Sequence, residues 1–310
     1  MTVYHRNHNT RVTPAPLPTS CCSPPSPQRP RRTSSTLIQN HLQITPQHFA
    51  RQAKVKAGMS RSIARFPAHL ERPNIKTISS EAIEAVAPAY KDVPVRIVRE
   101  QLLAESSSLV AGLHSADFSL LPTVPLPKEV TVPINDFVFK RAVCPTHLLA
   151  IPTTIRQANG VNRIQYTLYP IHELVFAASC SSFIPLPPSA AASEEGNKAA
   201  TITLPVVQLV VPAAWTFPIL HHYLYTKDTR ALKASLLPPG WDSSVVNVMK
   251  QAKTIVDVHR NAVGFGVVDE TMVLSNEGPS QSLYDVIDES WAKILTAMRE
   301  KTTPPPAVSP

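Results

Sequence analysis

The ten residues Phe217–Thr226 constrain the fold of this chain more than any other segment. Phe217, Leu220 and Leu224 are spaced at i, i+3 and i+7, which places their side chains on one stripe of an α-helix. A charged pair, Lys227-Asp228, follows directly and favours a turn. The pattern predicts a short helix whose apolar stripe has to be covered by other elements of the fold.

The residues on either side of this helix predict strands and further helices. Asn159-Gly160 favours a hairpin turn, because these residue types accept the positive φ that a two-residue turn requires. A strand is predicted before it at 148–155, and an alternating apolar and polar strand after it at 163–169. Further elements follow in the order helix 170–183, strand segments 201–204 and 206–211, and a helix at 243–258 with Val246, Met249, Ala252 and Ile255 as its apolar residues. We therefore predict an α+β fold.

This arrangement resembles the BTB/POZ domains, which are protein–protein interaction modules. The sequence Tyr-Leu-Tyr-Thr that closes the Phe217–Thr226 helix resembles their "YLYTG" helix end. Residues 170–183 resemble their pattern of a His, an apolar helix, a Ser and an aromatic residue. The residues on matching positions are His172, Ser179, Phe183, Phe217, Leu220, Tyr223, Leu224, Tyr225 and Thr226. The resemblance covers residues 147–260 and implies a divergent BTB/POZ-like domain, made of a strand hairpin plus helices.

Three departures separate the chain from that pattern. Residues 185–200 form a Pro-, Ser-, Ala- and Glu-rich insertion that is typical of a surface loop. The link at 232–241 contains proline and is longer than usual, and the Asp that commonly opens the first strand is not evident. The usual dimer surface of these domains is therefore not assumed, and a homodimer stays an open alternative.

A narrower resemblance rests on the whole arrangement. A basic Pro/Ser-rich arm, the divergent BTB-like block and the residues Ala231–Pro238 after the Phe217 helix together resemble the clampless proteins of basidiomycete fungi. That resemblance implies a regulator needed for clamp-cell formation and dikaryotic growth under mating-type control. It implies no catalytic activity, and the expected partners are regulatory proteins, among them transcription factors of the mating pathway.

Positive charge is concentrated in the first quarter of the chain. Residues 1–76 carry twelve Lys or Arg and one acid, Glu71, for a net +11, whereas residues 77–310 carry eighteen bases and twenty-one acids, for a net −3. Eight prolines and few apolar residues occupy positions 1–46. Because such a composition buries too little surface to offset chain entropy, we expect a disordered arm. The arm is either solvated chain or an electrostatic contact for nucleic acid or acidic protein.

The arm also contains candidate modification sites. Ser34 follows two arginines in a pattern that basophilic kinases prefer, and four further residues precede proline. A phosphate adds about −1.5 to −2 charge and would offset the local positive field. The candidate phosphorylation sites are Ser34, Ser23, Ser26, Thr13 and Thr45, and the basic residues of the arm include Arg29, Arg31, Arg32, Arg51, Lys54 and Lys56.

The sequence divides into five predicted regions. They are the arm at 1–76, a helical and Pro-rich linker region at 77–127, the BTB/POZ-like interaction domain at 128–266, a C-terminal amphipathic helix at 267–300 and a tail at 301–310. Two helices are predicted in the linker region, a short one over 80–86 and a longer one from Pro94 to Leu113. The C-terminal helix starts at a Ser-x-x-Asp motif, Ser282–Asp285, and its apolar stripe either packs on the domain or binds a partner.

Neither metal binding nor catalysis is predicted. Cys144 and His147 have a Cys-x-x-His spacing, but a structural zinc site needs four ligands and no second pair has suitable spacing. His221 and His222 are neighbours on a helix and point about 100° apart. No nucleophile elbow, His-Glu-x-x-His motif or phosphate loop occurs. We expect a non-enzymatic protein without cofactor or metal.

The expected location is intracellular, in the nucleus, the cytoplasm or both. The four cysteines are too few and too scattered for a disulfide framework, and there is no run of 18 apolar residues, so no membrane partner is expected. Two alternatives to a developmental interaction protein stay open. One is a substrate adaptor of a cullin-type ubiquitin ligase, and the other is a nucleic-acid-associated protein that makes weak, non-specific contacts through the arm.

Overall fold

The structure, a computed structural model, describes most of the chain after residue 65. The described ranges are 66–74, 76–115, 126–133, 142–156, 160, 162–189, 201–242, 244–268 and 281–302. All of them lie in one compact unit, Ala50–Pro310. The predicted arm up to residue 65 falls outside the described residues, and so do its basic and phosphorylation candidates.

A mixed four-stranded sheet forms one part of the described fold. Its strands are β1 (Glu129–Pro133), β2 (His147–Arg156), β3 (Asn162–Ile171) and β4 (Thr201–Gln208). The order across the sheet is β1-β4-β2-β3. β2 and β3 form the predicted antiparallel hairpin, β1 pairs antiparallel with β4, and β4 runs parallel to the buried start of β2. The parallel pairing brings β4, which follows the helix Glu173–Ser179, back to the centre of the sheet.

Eight helices accompany the sheet in the described part of the chain. They are α1 (Ser80–Val86), α2 (Val95–Ala104), α3 (Ser106–Leu113), α4 (Glu173–Ser179), α5 (Phe217–Thr226), α6 (Thr229–Leu236), α7 (Val245–Phe265) and α8 (Leu283–Thr302). Short 3₁₀ turns occur at Pro88–Tyr90 and Ala214–Thr216. The α+β prediction is confirmed, and α5 has the predicted bounds.

Local sequence explains where several helices begin and end. Ser79 and Asp228 accept hydrogen bonds from the first turns of α1 and α6. Ser282 and Asp285 form a reciprocal capping box at the start of α8, in which each side chain bonds the backbone N–H of the other. α5 ends at Lys227, whose φ of 50° is left-handed, a conformation that glycine adopts more readily.

The prediction of a single helix from Pro94 to Leu113 is wrong, because the chain turns at Glu105. The three serines at 106–108 favour helix caps and turns over helix interiors. The turn also lets α3 contact the residues that precede β2, where the Val143 N–H donates to the Ser108 carbonyl at 3.1 Å. Two short helices therefore replace the long one.

The predicted apolar stripe of α7 is also wrong in part. Val246 is 75% exposed, whereas the buried residues run through Val248, Ala252 and Ile255 to the end of the helix. The helix continues to Phe265 and ends at Gly266 in the left-handed conformation. The predicted strand at 206–211 stops at Gln208, where the chain leaves the sheet for α5.

The main core lies between α5, α7, α8 and the start of the β2–β3 hairpin. Phe217, Leu220 and Leu224 are buried in it, as is the apolar stripe of α8, which comprises Leu283, Val286, Ile287, Trp291, Ile294 and Met298. Of the two interpretations of the C-terminal helix, packing on the folded unit is the one observed. A second small cluster lies between β1, β4 and β2, and a third joins α1 and α2 to α4.

Residues within the predicted arm also pack on α8. The Phe66 ring lies 5.8 Å from that of Trp291, and Leu70 is buried in the main core. The Arg72 guanidinium bonds Asp285 at 2.5 Å and Asp288 at 2.9 Å. These contacts raise the pKa of Arg72, chiefly through the hydrogen bond to Asp285. The packed part of the chain therefore includes residues 66–74.

We expect Leu224→Ala to lower the free energy of unfolding by about 2–5 kcal/mol, because the change removes a fully packed side chain from the main core. Val246→Ala is the matched control, since Val246 is exposed on α7 and should change stability by less than about 0.5 kcal/mol. Urea unfolding followed by circular dichroism measures both. Equal midpoints for the two variants would contradict the packing of α5.

A candidate interaction surface

A buried hydrogen-bonded junction joins α4 and α5 to the residues that precede β2. The His172 N–H donates to the Tyr225 hydroxyl at 2.8 Å, and His172 Nδ1 lies 3.1 Å from the same oxygen. His172 Nε2 lies 2.9 Å from the Val143 carbonyl. Because a carbonyl only accepts, Nε2 carries the proton, and Nδ1 accepts from Tyr225. Burial lowers the pKa of His172 to about 4, which keeps the ring neutral.

The junction leaves no room for a side chain on the facing turn of α3. A Cβ atom on Gly112 would lie 1.7 Å from the Val143 oxygen and 3.3 Å from His172 Nε2. Gly112 therefore allows α3 to contact the backbone that His172 holds. Three segments far apart in sequence meet here: α3, the start of β2 and the start of α4.

The other signature residues lie mainly inside the fold. Phe217, Leu220, Tyr223 and Leu224 are buried in the main core, and Ser179 is buried at the end of α4. Phe183 is half-buried, and its ring lies 5.3 Å from that of Phe176. Thr226 Oγ1 donates to the His222 carbonyl at 3.0 Å within α5. These residues position elements of the fold, so a contact surface has to be sought among other residues.

The His147 ring of the Cys144-x-x-His147 motif is hydrogen-bonded within the protein. His147 is fully buried, with Nε2 2.7 Å from the Pro187 carbonyl and Nδ1 2.9 Å from Thr146 Oγ1. Both ring nitrogens are thus occupied by hydrogen bonds. No group of three or more His, Cys, Asp or Glu side chains that could hold a metal occurs among the described residues.

The connection from β4 to α5 is fixed rigidly to α7. Asn261, which is fully buried, accepts from the Ala213 N–H at 3.0 Å and donates to the Ala213 carbonyl at 2.8 Å. The same side-chain amide donates to Thr216 Oγ1 at 3.0 Å. Pro212 lies over Gly264, with its Cγ 3.5 Å from the place a Cβ of Gly264 would take. A single buried amide therefore sets the conformation of this turn.

The turn presents a tryptophan to solvent in a fixed orientation. Trp215 is 48% exposed, and its Nε1 donates to Asp257 Oδ2 at 3.0 Å. The Lys253 ammonium lies 4.7 Å from the centroid of the indole ring and 2.5 Å from the same carboxylate. Arg260 Nη1 lies 3.5 Å from Asp257 Oδ1. Since its polar edge is already bonded, the ring is an apolar group that loses little freedom on binding.

Further exposed apolar residues belong to the connection that contains Trp215 and to α7, which holds its ring. Val210 is 75% exposed and Val263 is 38% exposed. We define the Trp215 surface as Val210, Pro212, Trp215 and Val263, together with the cations Lys253 and Arg260. Rigid Trp and Arg side chains are the residue types most enriched at the energetic centres of protein interfaces. The arrangement is suited to protein binding.

Sequence reasoning missed this surface. Residues 206–211 read as one strand, and Trp215 stood in a short gap between two predicted elements. The available signal was the excess of apolar residues, Val210-Val211-Pro212, just beyond the end of the strand. The role of Asn261 could not be read from its position within a helix.

Fold and surface together describe a mixed α+β module that exposes an aromatic side chain in a fixed orientation. Its family follows from residues 73–212, which match the family model described as the Clampless protein 1 N-terminal domain. The chain therefore contains a clampless-type N-terminal domain. No curated protein and no solved structure was found to match it.

The matched region covers α1–α3, the whole sheet and α4. It ends at Pro212, within the Trp215 surface, while α5–α8 lie beyond it. Among the described helices, none is long and apolar enough to span a membrane.

We expect Gly112→Ala to destabilise the fold by about 1–3 kcal/mol or more, since the new methyl group overlaps the Val143 oxygen. Gly264→Ala is the matched control. It adds the same methyl group to a helix at an ordinary contact distance, and alanine there should be neutral or stabilising by up to about 1 kcal/mol. Thermal melts of both variants measure the difference, and a tolerated Gly112→Ala would show that α3 does not contact Val143.

Stability should fall as the pH is lowered from 7 towards 5. Burial lowers the pKa of His172 and of His221 to about 4, whereas an unfolded chain takes up these protons near pH 6.5. The stabilisation is complete above the unfolded value and is lost as pH falls towards the folded value, by up to about 3 kcal/mol for each histidine. Urea midpoints at a series of pH values test this.

The His221→Gln variant should show a shallower pH dependence, because one of the two titrating groups is gone. A midpoint that stays constant from pH 7 to pH 5 in the unmodified protein would contradict the burial of both rings.

Proposed function

We propose that this protein is a non-enzymatic regulator of sexual development in a basidiomycete fungus, acting through protein–protein contacts. The process would be clamp-cell formation and dikaryotic growth under mating-type control. The match of residues 73–212 to a clampless domain supports the process. The observation that carries the mode of action is the Trp215 surface, where an exposed indole is held by Asp257 and Lys253.

We further propose that the folded unit is a divergent BTB/POZ domain. The order of a hairpin, the helix α4, a strand parallel to β2 and the helix α5 supports this assignment. The junction between His172 and Tyr225 gives two of the signature residues a shared structural role. In this proposal the helices α1–α3 are additions that precede the hairpin, and α1 and α2 cover α4.

The proposed partners are regulatory proteins, including transcription factors of the mating pathway, and the proposed location is the nucleus, the cytoplasm or both. A largely apolar contact centred on an aromatic side chain gives affinity that depends little on salt. A homodimer or recruitment of a cullin-type ubiquitin ligase would use the same kind of surface. These two cases are distinguished by the identity of the captured proteins.

Affinity capture from fungal extract tests the proposal with two matched variants. Trp215→Ala should remove the specific partners seen with the unmodified protein, because it deletes the anchor of the surface. Val246→Ala changes an apolar residue that is more exposed and belongs to a different part of α7, and it should leave capture unchanged. Equal capture by both variants would contradict a role for the Trp215 surface.

The same two variants can be compared in cells. In a strain that lacks the gene, the unmodified protein and Val246→Ala should restore clamp cells, whereas Trp215→Ala should not. Clamp formation that is normal without the gene would contradict the developmental role itself. Cullin among the captured proteins would instead favour the ubiquitin ligase adaptor.

The basic arm should supply a second, electrostatic contact. Binding of the full chain to nucleic acid should be weak and tolerant of sequence, and should fall with a log–log salt slope of about −0.9 for each phosphate neutralised. Deletion of residues 1–65, which spares the packed residues after them, should abolish it. Ser34→Glu should weaken it slightly, since it adds one negative charge.

Fluorescence anisotropy at several salt concentrations measures this binding. Selective DNA binding that resists salt and survives the deletion would place the nucleic-acid site in the folded unit.

A further inference from the structure

The β2–β3 hairpin extends beyond the rest of the sheet. β4 pairs with β2 only at Leu148–Ala150, and the next backbone bond joins Leu209 N–H to the Ala150 carbonyl. The β2–β3 pairing continues for six more positions, to Arg156 and Asn162. The outer part of the hairpin, which we call the ribbon (152–156 and 162–166), is thus a two-stranded structure without a third strand among the described residues.

Among the described residues, the ribbon is open on both faces and pairs with no strand along either edge. Four of its five β3 residues, Asn162 to Gln165, are exposed. Ile155 is 44% exposed and Ile164 is 53% exposed. Ile155 pairs with Arg163 and Thr154 pairs with Ile164, so the two isoleucines lie on opposite faces. β3 is the terminal strand of the sheet, and its outer backbone groups bond no other described strand.

All of the charge on this hairpin is positive. Between His147 and Ile171 the sequence contains Arg156 and Arg163 and no acid. Each face of the ribbon carries one isoleucine and one arginine. Ile155 lies beside Arg163 on one face, and Arg156 and Ile164 share the other face. Each face therefore offers one apolar and one cationic group to a chain that lies along the edge.

The charges of Arg156 and Arg163 determine which kind of strand can pair with the outer edge of β3. An exposed strand edge pairs readily with another strand, and proteins often place charges there to prevent self-association. Two copies of this ribbon would bring arginines near each other with no acid to compensate. An extended segment with acidic side chains would find both the open backbone groups and the two guanidinium groups.

We propose that the outer edge of β3 binds an extended, acidic segment of a partner protein by strand addition. Backbone hydrogen bonds give the contact its geometry, Arg156 and Arg163 select acidic side chains, and Ile155 and Ile164 pack against apolar residues between them. This contact does not involve the Trp215 surface, and it holds whether or not that surface binds a partner.

Labelled peptides test the proposal on the full chain. The probes are an eight-residue peptide of repeating Glu-Glu-Val-Val, which places both residue types on each face of a strand, the same peptide with Lys in place of Glu, and this Val–Glu peptide with its four central residues N-methylated. We expect the Val–Glu peptide to bind, with an affinity that falls as salt is raised. The Lys peptide and the N-methylated peptide should bind at least about tenfold more weakly.

Charge reversal of the protein provides the second arm. The double variant Arg156→Glu with Arg163→Glu should lose the Val–Glu peptide and gain the Val–Lys peptide. The control, Arg230→Glu with Lys250→Glu, makes the same change in net charge at exposed positions of α6 and α7 and should behave as the unmodified protein. Thermal melts verify that both variants are folded.

Several results would overturn the proposal. Equal binding of the Glu and Lys peptides would exclude charge selection, and equal binding of the N-methylated peptide would exclude strand addition. Absence of binding at millimolar peptide would exclude the site. A dimer of the chain that forms through β3, detected by sedimentation and lost on Ile164→Lys, would replace the acidic partner with a second copy.

Discussion

The hydrogen bonds of His172 are the interaction on which the rest of the fold depends. One neutral imidazole bonds the Tyr225 hydroxyl on one side and the Val143 carbonyl on the other, while Gly112 lets α3 close over that carbonyl. A buried polar group without a partner costs about 1–3 kcal/mol, so the loss of any one member leaves its neighbours unsatisfied. The junction thus fixes α3, α4 and α5 relative to the hairpin, and the sheet and core form around that arrangement.

Because the His172 junction fixes α5, it also helps to hold the Trp215 surface in one shape. α5 is fixed by Tyr225 at one end, and the turn before its other end is fixed to α7 by Asn261. Trp215 lies in that turn, so its orientation is determined from both sides. The ribbon differs, because beyond Ala150 only its own two strands hold it. The Trp215 ring is therefore held in a fixed orientation, whereas the ribbon keeps open backbone groups along β3.

Periodicity predicted the parts of this fold in which local pattern and burial agree. The hairpin, α5 and the start of α8 followed from alternation, from the i, i+3, i+7 stripe and from a capping box. The break at Glu105 and the exposure of Val246 did not, because both depend on which face meets a neighbour. The resemblance located His172 and Tyr225, but only the structure shows that they bond each other. Trp215 was missed because its role depends on Asp257, forty-two positions away.

Lys227, the left-handed residue at the end of α5, links that helix to the end of α4. Lys227 adopts φ 50°, which costs a residue with a side chain about 1–2 kcal/mol, whereas glycine would take that conformation freely. The lysine Nζ lies 3.5 Å from Ser179 Oγ at the end of α4 and 5.3 Å from the centre of the Tyr223 ring. The chain thus accepts a strained backbone in exchange for a cross-link between two helix ends. A glycine in this place would relax the backbone and remove the link together, so overall stability would change little while the Ser179 end of α4 lost its tie to α5.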